Sequence, residues 1–469
     1  MTSSPCSLSL NQDRPASRHI GERLPLELII CILNQCDLKT LVPCSRVCTT
    51  WSSICQPRIF EHVEFDTARD GLEKSIERIS TLNGSHCTPE LIRRMSLRFS
   101  EPHKTDDTKD ENTCRFRALL RELVGLEGRF EGLLALSLVA AGSAGIHMLC
   151  GEDTRHPTIP LLVFTFQHVV DLNIYANYED YRCVINFICS FPSLRALSLR
   201  LPTYALVVEE PGWQNLPAPT SVLPFTLETF HLLYSNGNFQ SRPEPLQGVE
   251  NWLSTHPPRQ IKLFSVVDSA SPRLGPYFSG LCRETQSLHL ALDFRYFVTR
   301  SSERHNLSLL NLDRLERIII TFRATGLGVC LRGAWRPGDA VVATAASISL
   351  QILDSIISPH LRAIVLNVFD PDGFKAPIPR NEWNQLDEIL SSSTGKFARC
   401  TVEIVIPHLN GDEGAALARE AFPKTNSDGR LTVVRTPYDL LTLVHGGVTK
   451  DTDSDQMNWV CDRIYQMNE

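Results

Sequence analysis

FPSLRALSLRL, residues 191–201, carries the pattern on which the fold turns. Leu194, Leu197 and Leu199 are separated by two residues and then by one. The L-x-L end puts Leu197 and Leu199 on one face of a short strand, while Leu194 packs behind it as the chain turns in. The same spacing of large apolar residues recurs as Ile92/Met95/Leu97, Leu133/Leu136/Leu138, Val169/Leu172/Ile174, Leu227/Phe230/Leu232, Ile261/Phe264/Val266, Leu315/Ile318/Ile320, Leu361/Ile364/Leu366 and Phe397/Cys400/Val402, with Leu288/Leu290 as a partial copy. Each copy reads as one strand entering a common core.

Helical periods lie between the copies, at Phe116/Leu119/Leu120/Leu123/Val124, Val184/Ile185/Ile188, Val249/Trp252/Leu253 and Trp383/Leu386/Ile389/Leu390. Strand and helix therefore alternate, and alternation implies parallel strands joined by crossovers, an α/β class. Two architectures satisfy it: a leucine-rich-repeat-like solenoid that stacks one strand per unit, or a doubly wound α/β domain. Leading residues of successive copies lie 24 to 46 positions apart, against about 20 to 29 in regular repeats of this kind. A solenoid here must be irregular and carry insertions. The number of copies favours it.

Bulk properties narrow the function. A chain of 469 residues is longer than one ordinary compact core, which calls for several domains or an extended repeat. Its 42% apolar and 21% charged residues match ordinary globular usage, so the body is expected to fold. A net charge of −7 and a pI near 6.1 give no field that would draw nucleic acid or anionic lipid. Fifteen cysteines, odd in number, irregular in spacing and without a CxxC pair, speak against a disulfide framework and for a reducing compartment, cytoplasm or nucleus. The first twenty residues lack a basic start and apolar run, and read as a polar tail rather than a secretory signal. Residues 132–151 are uncharged, but Gly142, Gly145, Ser137, Ser143 and His147 within them favour a buried strand and small-residue loop over a membrane span.

Catalytic constellations are missing from the chain. No glycine loop ends in Lys-Ser or Lys-Thr, no G-x-S-x-G elbow or H-E-x-x-H pair occurs, and GLGVCLRG at 326–333 has Leu331 where a dinucleotide loop needs its third glycine. Asp370 and Asp372 lack the further oxygens of a calcium loop, and Cys44 with Cys48 has no second metal-binding pair. The expectation is a non-enzyme with no cofactor and no metal. Long Pro- and Gly-bearing loops, 201–224 among them, which together carry Trp, Tyr and Arg, offer material for a binding rim.

Ahead of the strand region stands RLPLELIICILNQCDLKTLVPCSRVCTTWSSICQPRIFEHVEF, residues 23–65. Pro25 suits the first turn of a helix and Glu27 the positive end of its dipole. Leu24, Leu28 and Ile32, with Ile29 and Leu33 beside them, form an apolar face wider than one short helix can bury. Asp37 can cap a second helix through Leu38 and Leu41, and Val47, Cys48 and Trp51 mark a third. Some forty residues close a stable core poorly alone. The surplus face calls either for a cap role on the following domain or for a binding partner.

The order Leu24-Pro25-x-Glu27-Leu28, Ile32-Leu33, Leu38, Leu41, Val47-Cys48, Trp51 and Ile59-Phe60 resembles the F-box, with Cys36, Pro43 and Phe60 as departures from its usual pattern. An F-box ahead of degenerate leucine-rich repeats is similar to the organisation of many fungal F-box proteins. The resemblance implies a three-helix module docking on the Skp adaptor, and through it on a cullin, in an SCF-type ubiquitin ligase. Leu24, Pro25, Leu28, Ile29, Ile32, Leu33, Leu41, Val47 and Trp51 match positions that form the module's core or adaptor-facing surface. The expected organisation is a disordered tail over 1–20, an F-box over 21–66, a leucine-rich-repeat-like domain over 67–445, and a linker with a C-terminal helix over 446–469. The implied function is a substrate-recognition subunit whose strand region holds an unknown target protein; the alternative is a non-ligase interaction scaffold on the same repeats.

Overall fold

The computed structural model describes residues 24–66, 71–84, 89–100, 122, 123, 125, 128–141, 166–176, 181–201, 227–234, 261–268, 285–293, 312–323, 345–368, 377–392, 395–407 and 411–436. The chain divides into two compact units between His62 and Val63.

The first unit holds three helices, α1 (Leu26–Asn34), α2 (Leu38–Cys44) and α3 (Thr49–Phe60). Its buried core is small: Ile29, Leu33, Leu41 and Cys55, with Leu24, Cys36, Cys44, Trp51, Ile54 and Ile59 packed against them.

The second unit is built on one sheet of twelve strands, β1 (His62–Asp66), β2 (Arg94–Ser100), β3 (Ala135–Ala141), β4 (Asp171–Ala176), β5 (Ala196–Leu201), β6 (Thr229–Tyr234), β7 (Leu263–Asp268), β8 (Ser287–Asp293), β9 (Arg317–Arg323), β10 (Ala363–Val368), β11 (Thr401–Pro407) and β12 (Leu431–Thr436). Their spatial order is their chain order, and the ladders from β2 through β12 are parallel. The order never reverses, so the sheet has no switch point of the kind a doubly wound sheet contains.

Register explains the core. Met95, Leu136, Leu172, Leu197, Phe230, Phe264, Leu288, Ile318, Ile364 and Val402 stand side by side across the strands, and all are buried. The leading residues Ile92, Leu133, Val169, Leu194, Leu227, Ile261, Leu315, Leu361 and Phe397 pack into the same cluster. In the partial copy that position is Thr285, fully buried, whose hydroxyl has no hydrogen-bond partner among the described residues.

One device joins each unit to the next. The carbonyl just after a leading residue accepts two consecutive backbone N–H groups of the following unit: Arg93 O from Leu134 and Ala135, Leu134 O from Val170 and Asp171, Val170 O from Arg195 and Ala196. The series continues through Arg195, Glu228, Lys262, Gln286 and Glu316, all at 2.7–3.1 Å. Their side chains are mostly charged and face water; Lys262 pairs with Glu228 at 3.3 Å, and Leu134 is exposed because it occupies this position.

Helices α4 (Leu72–Gly84), α5 (Tyr181–Cys189), α6 (Ala345–Ser355), α7 (Pro377–Ser391), α8 (Gly411–Ala421) and α9 (Pro423–Ser427) complete the described part. The helical periods at Val184/Ile185/Ile188 and Trp383/Leu386/Leu390 fall in α5 and α7 with these residues buried. Trp383 meets Phe422 edge-on at 5.5 Å. Asp387 in α7 opens α9 by accepting from Lys424 N and Thr425 N, both at 2.9 Å, and from Thr425 Oγ1 at 2.6 Å. Cations close helix ends: Lys396 Nζ donates to the carbonyls of Leu353 and Asp354 in the last turn of α6 and of Ile356 just after it, and Arg430 to that of Leu390 in α7.

The uncharged stretch at 132–151 contributes strand β3; its part from 142 to 151 lies outside the described residues, as do the periods at 116–121 and 249–253, GLGVCLRG, the first twenty residues and the C-terminal helix expected near 455–467. No described helix is long and apolar enough to cross a membrane.

Candidate functional site

In the three-helix unit, local chemistry sets each turn. Pro25 stands at the N-cap of α1 rather than inside its first turn, with φ −53 and ψ 143; its carbonyl accepts from Leu28 N at 3.1 Å and Ile29 N at 3.2 Å. Its ring has no N–H to satisfy, so one residue outside the helix serves as well as one inside. Asp37 caps α2, its carboxylate accepting from Thr40 N at 2.9 Å; those hydrogen bonds, to the Thr40 side chain and then its backbone, hold the Asp37 carboxyl below its ordinary range. Pro43 lies in the last turn of α2, where the helix is about to end and a missing donor costs little.

Arg58 of α3 ties the unit together. Its guanidinium donates to the carbonyls of Leu33, which also accepts from Cys36 N, and of Cys36, at the C-terminal end of α1 where its dipole is negative. Sequence reasoning missed this residue, because it acts on backbone 22 and 25 positions away.

The nine residues singled out from sequence separate into two sets. Ile29, Leu33 and Leu41 are buried, and Leu24 and Trp51 half-buried against them. Pro25 is exposed, as are Leu28 at 50%, Ile32 at 51% and Val47 at 57%. Four more large apolar side chains, Leu26, Ile30, Leu38 and Val42, are exposed on α1 and α2; of these only Leu38 had been matched to the F-box order, and none was among the nine. Their i, i+4 spacing, Leu26 with Ile30 and Leu38 with Val42, was a usable signal. Seven of the nine exposed large apolar side chains among the described residues therefore lie in this unit.

The sheet face opposite the main core is polar along much of its middle, and that polar run, from Ser96 to His289, is buried. Its central row reads Ser96, Ser137, Asn173, Ser198, His231, Ser265, His289, Ile319, Val365 and Glu403 across β2–β11. His289 bridges two hydroxyls, with Nδ1 2.9 Å from Ser265 Oγ and Nε2 2.9 Å from Thr321 Oγ1; Asn367 Nδ2 donates to the same threonine at 2.8 Å. Burial pushes His231 down to about 4; burial and then the neighbouring His231 push His289 down to about 3. Both rings are neutral at physiological pH, and a neutral imidazole supplies the one donor and one acceptor that two hydroxyl neighbours need. Beyond this polar run, Val365 and Val405 form a small apolar cluster with Ile319 and Val434. Among the described residues no group of His, Cys, Asp or Glu could hold a metal ion.

No curated protein matches the chain. The family model of the F-box domain matches residues 22–62, the segment that folds as α1, α2 and α3. An F-box implies an adaptor role in an SCF-type complex, through binding to Skp, and proteins that carry one are generally not themselves catalytic. With the three helices, the Asp37 cap and the exposed apolar side chains falling inside that match, the chain carries an F-box domain over residues 22–62.

Proposed function

We propose that this protein is the substrate-recognition subunit of an SCF-type cullin–RING ubiquitin ligase, holding the Skp adaptor with residues 22–62 and a target protein with the strand region. The observation that carries the reading is the concentration of exposed large apolar side chains on the F-box. Covering one such side chain is worth about 1.5–3 kcal/mol, so a partner that covers several gains a stable interface. Pro25, Leu28, Ile32 and Val47 supply the contact surface, with Leu24 and Trp51 at its margin. Ile29, Leu33 and Leu41 hold that surface from beneath.

The strand region is read as an irregular leucine-rich-repeat-like solenoid. Sequential strand order and the carbonyl that accepts two N–H groups at eight successive steps support it, since both describe one unit stacked repeatedly on its predecessor. The strand region as a whole is the proposed target-binding part, and the ligase chemistry belongs to other subunits.

Affinity purification of the full chain tests the reading. Wild type is expected to bring down the Skp adaptor and a cullin, and Leu28→Asp combined with Ile32→Asp to lose both while keeping its thermal transition. Retention by the double variant overturns the assigned surface. Absence of both partners from the wild-type sample favours a scaffold outside any ligase.

A further inference from the structure

Buried carboxylates in the sheet unit stand beside donors. Asp387, 1% exposed, accepts from two backbone N–H groups and the Thr425 hydroxyl, and buried Asp66 stands 3.9 Å from the Arg98 guanidinium. Glu403 of β11 is the exception. Its Oε1 is enclosed without a hydrogen-bond partner, and no cation pairs with its carboxylate among the described residues. No other carboxylate oxygen among the described residues is left enclosed and unpartnered.

The surroundings offer no internal remedy. Register places Glu403 between Val365 and Thr432, with Ile319 beyond Val365 in the same row and Val405 and Val434 in the next. Val365 and Val405 are buried and Ile319 and Val434 pack against them, so the carboxylate borders an apolar cluster. The sheet face is open here. Unlike the buried run from Ser96 to His289, Ile319, Glu403 and Val434 are half-buried, and Thr401 and Thr432 are exposed. A carboxylate deprived of part of its water and given no donor destabilises the strand that carries it. A cation arriving from outside removes that penalty.

We infer that Glu403 is a binding site for an arginine side chain of the target protein, with half-buried Ile319 and Val434 receiving the aliphatic stem. The inference rests on reading the strand region as the target-binding part, and it names the chemistry recognised there. Arginine suits the site better than lysine. Its guanidinium is more weakly hydrated than an ammonium, so it loses less on approaching a half-buried carboxylate, and its planar fork brings two parallel N–H groups to two carboxylate oxygens. Rotation about the last side-chain bond of a glutamate meets only broad, shallow preferences, which lets both oxygens of Glu403 turn to the fork. The methylenes of the stem cover apolar surface that a short cation would leave wet. Exposed Thr432, next in register, adds a hydroxyl acceptor for a remaining N–H.

Fluorescence anisotropy on the full chain tests the site with two labelled pentapeptides, Gly-Val-Arg-Val-Gly and the same peptide with citrulline, which keeps the shape of arginine without its charge. At low salt the wild type is expected to hold the arginine peptide about tenfold more tightly than the citrulline peptide. Glu403→Gln, which keeps the side chain's shape, should bind both alike and unfold at an unchanged or higher denaturant concentration. Glu403→Lys should transfer the preference to Gly-Val-Glu-Val-Gly. Equal binding of the first two peptides by the wild type, or a preference that survives in Glu403→Gln, overturns the site. A lowered denaturation midpoint in Glu403→Gln overturns it as well, because it marks the carboxylate as a structural anchor. Adaptor capture, read on the same samples, should be indifferent to both variants; an arginine preference in a chain that captures no adaptor removes the ligase reading and leaves the site standing.

Discussion

The two units spend their apolar residues in opposite ways. In the sheet, apolar side chains from Phe65 to Phe422 close into one continuous cluster, and the few large ones left exposed stand singly, as Leu134 and Ile357 do. In the F-box, four apolar side chains are buried and seven large ones face water, six on α1 and α2 and Val47 in the turn before α3. One unit completes its core with its own chain, and the other leaves apolar side chains exposed, where the proposed adaptor would cover them. Stability and binding should therefore respond to different residues.

The contrast breaks most visibly at paired substitutions. Phe230 meets Phe264 at 5.7 Å inside the sheet, and Phe230→Ala is expected to cost about 3–5 kcal/mol in chemical denaturation. Leu28→Ala in the F-box should cost under about 1 kcal/mol while reducing adaptor capture. If Leu28→Ala unfolds the chain as Phe230→Ala does, the F-box is not the open unit described here.

Acid sharpens the comparison from the sheet side. His231 and His289 hold folded values of about 4 and about 3, below the ordinary 6.5, so the unfolded chain binds protons that the folded chain refuses. Their neutral forms are accommodated in full above pH 6.5. As pH falls from 6.5 toward the folded values, stability should drop by about 1.4 kcal/mol per unit for each ring. Denaturation midpoints from pH 7 to 4.5 measure the slope, and His289→Gln should remove about half of it; an unchanged slope would place the titration elsewhere.

Smaller effects follow from single contacts. Arg58→Ala removes the charged donor from the Leu33 and Cys36 carbonyls, the first of which keeps its bond from Cys36 N, and should cost about 1–2 kcal/mol, enough to loosen α1 in hydrogen exchange while the sheet stays protected. Thr285→Val replaces a buried, unpartnered hydroxyl with a methyl of similar volume and should raise the midpoint by about 0.5–1 kcal/mol.

Much of the fold was legible because register repeats what spacing announces. All ten apolar copies, including Leu288/Leu290, fall on β2–β11. The two end strands escaped for separate reasons. Phe60/Val63/Phe65 has the same spacing as the other copies, but it runs out of the F-box signature and was read as part of that module. In β12 the leading position is Asp428, and Gly429 at φ +70 turns the chain into the strand, so only Leu431 and Val433 show the pattern. The site was less legible. Apolar residues cover so much of α1 that periodicity could not say which of Leu26, Leu28, Ile29, Ile30, Ile32 and Leu33 the small core would take; burial chose Ile29 and Leu33. The bridge from Ser265 through His289 to Thr321 and Asn367 was invisible, because it joins four strands whose alignment depends on loops of unequal length.

The carbonyl that links each unit to the next also bears on how the sheet is lost and how it has grown. Because Arg93, Leu134, Val170 and their successors bond only the adjoining unit, the energy of the sheet is a sum over neighbours, and disruption of one joint leaves distant joints intact. Unfolding of such an array proceeds inward from its ends, with β12 the first strand to open at the C-terminal side. By the same locality, a crossover can lengthen without disturbing the register on either side, and that tolerance accommodates units as unequal as 24 and 46 residues in a single array.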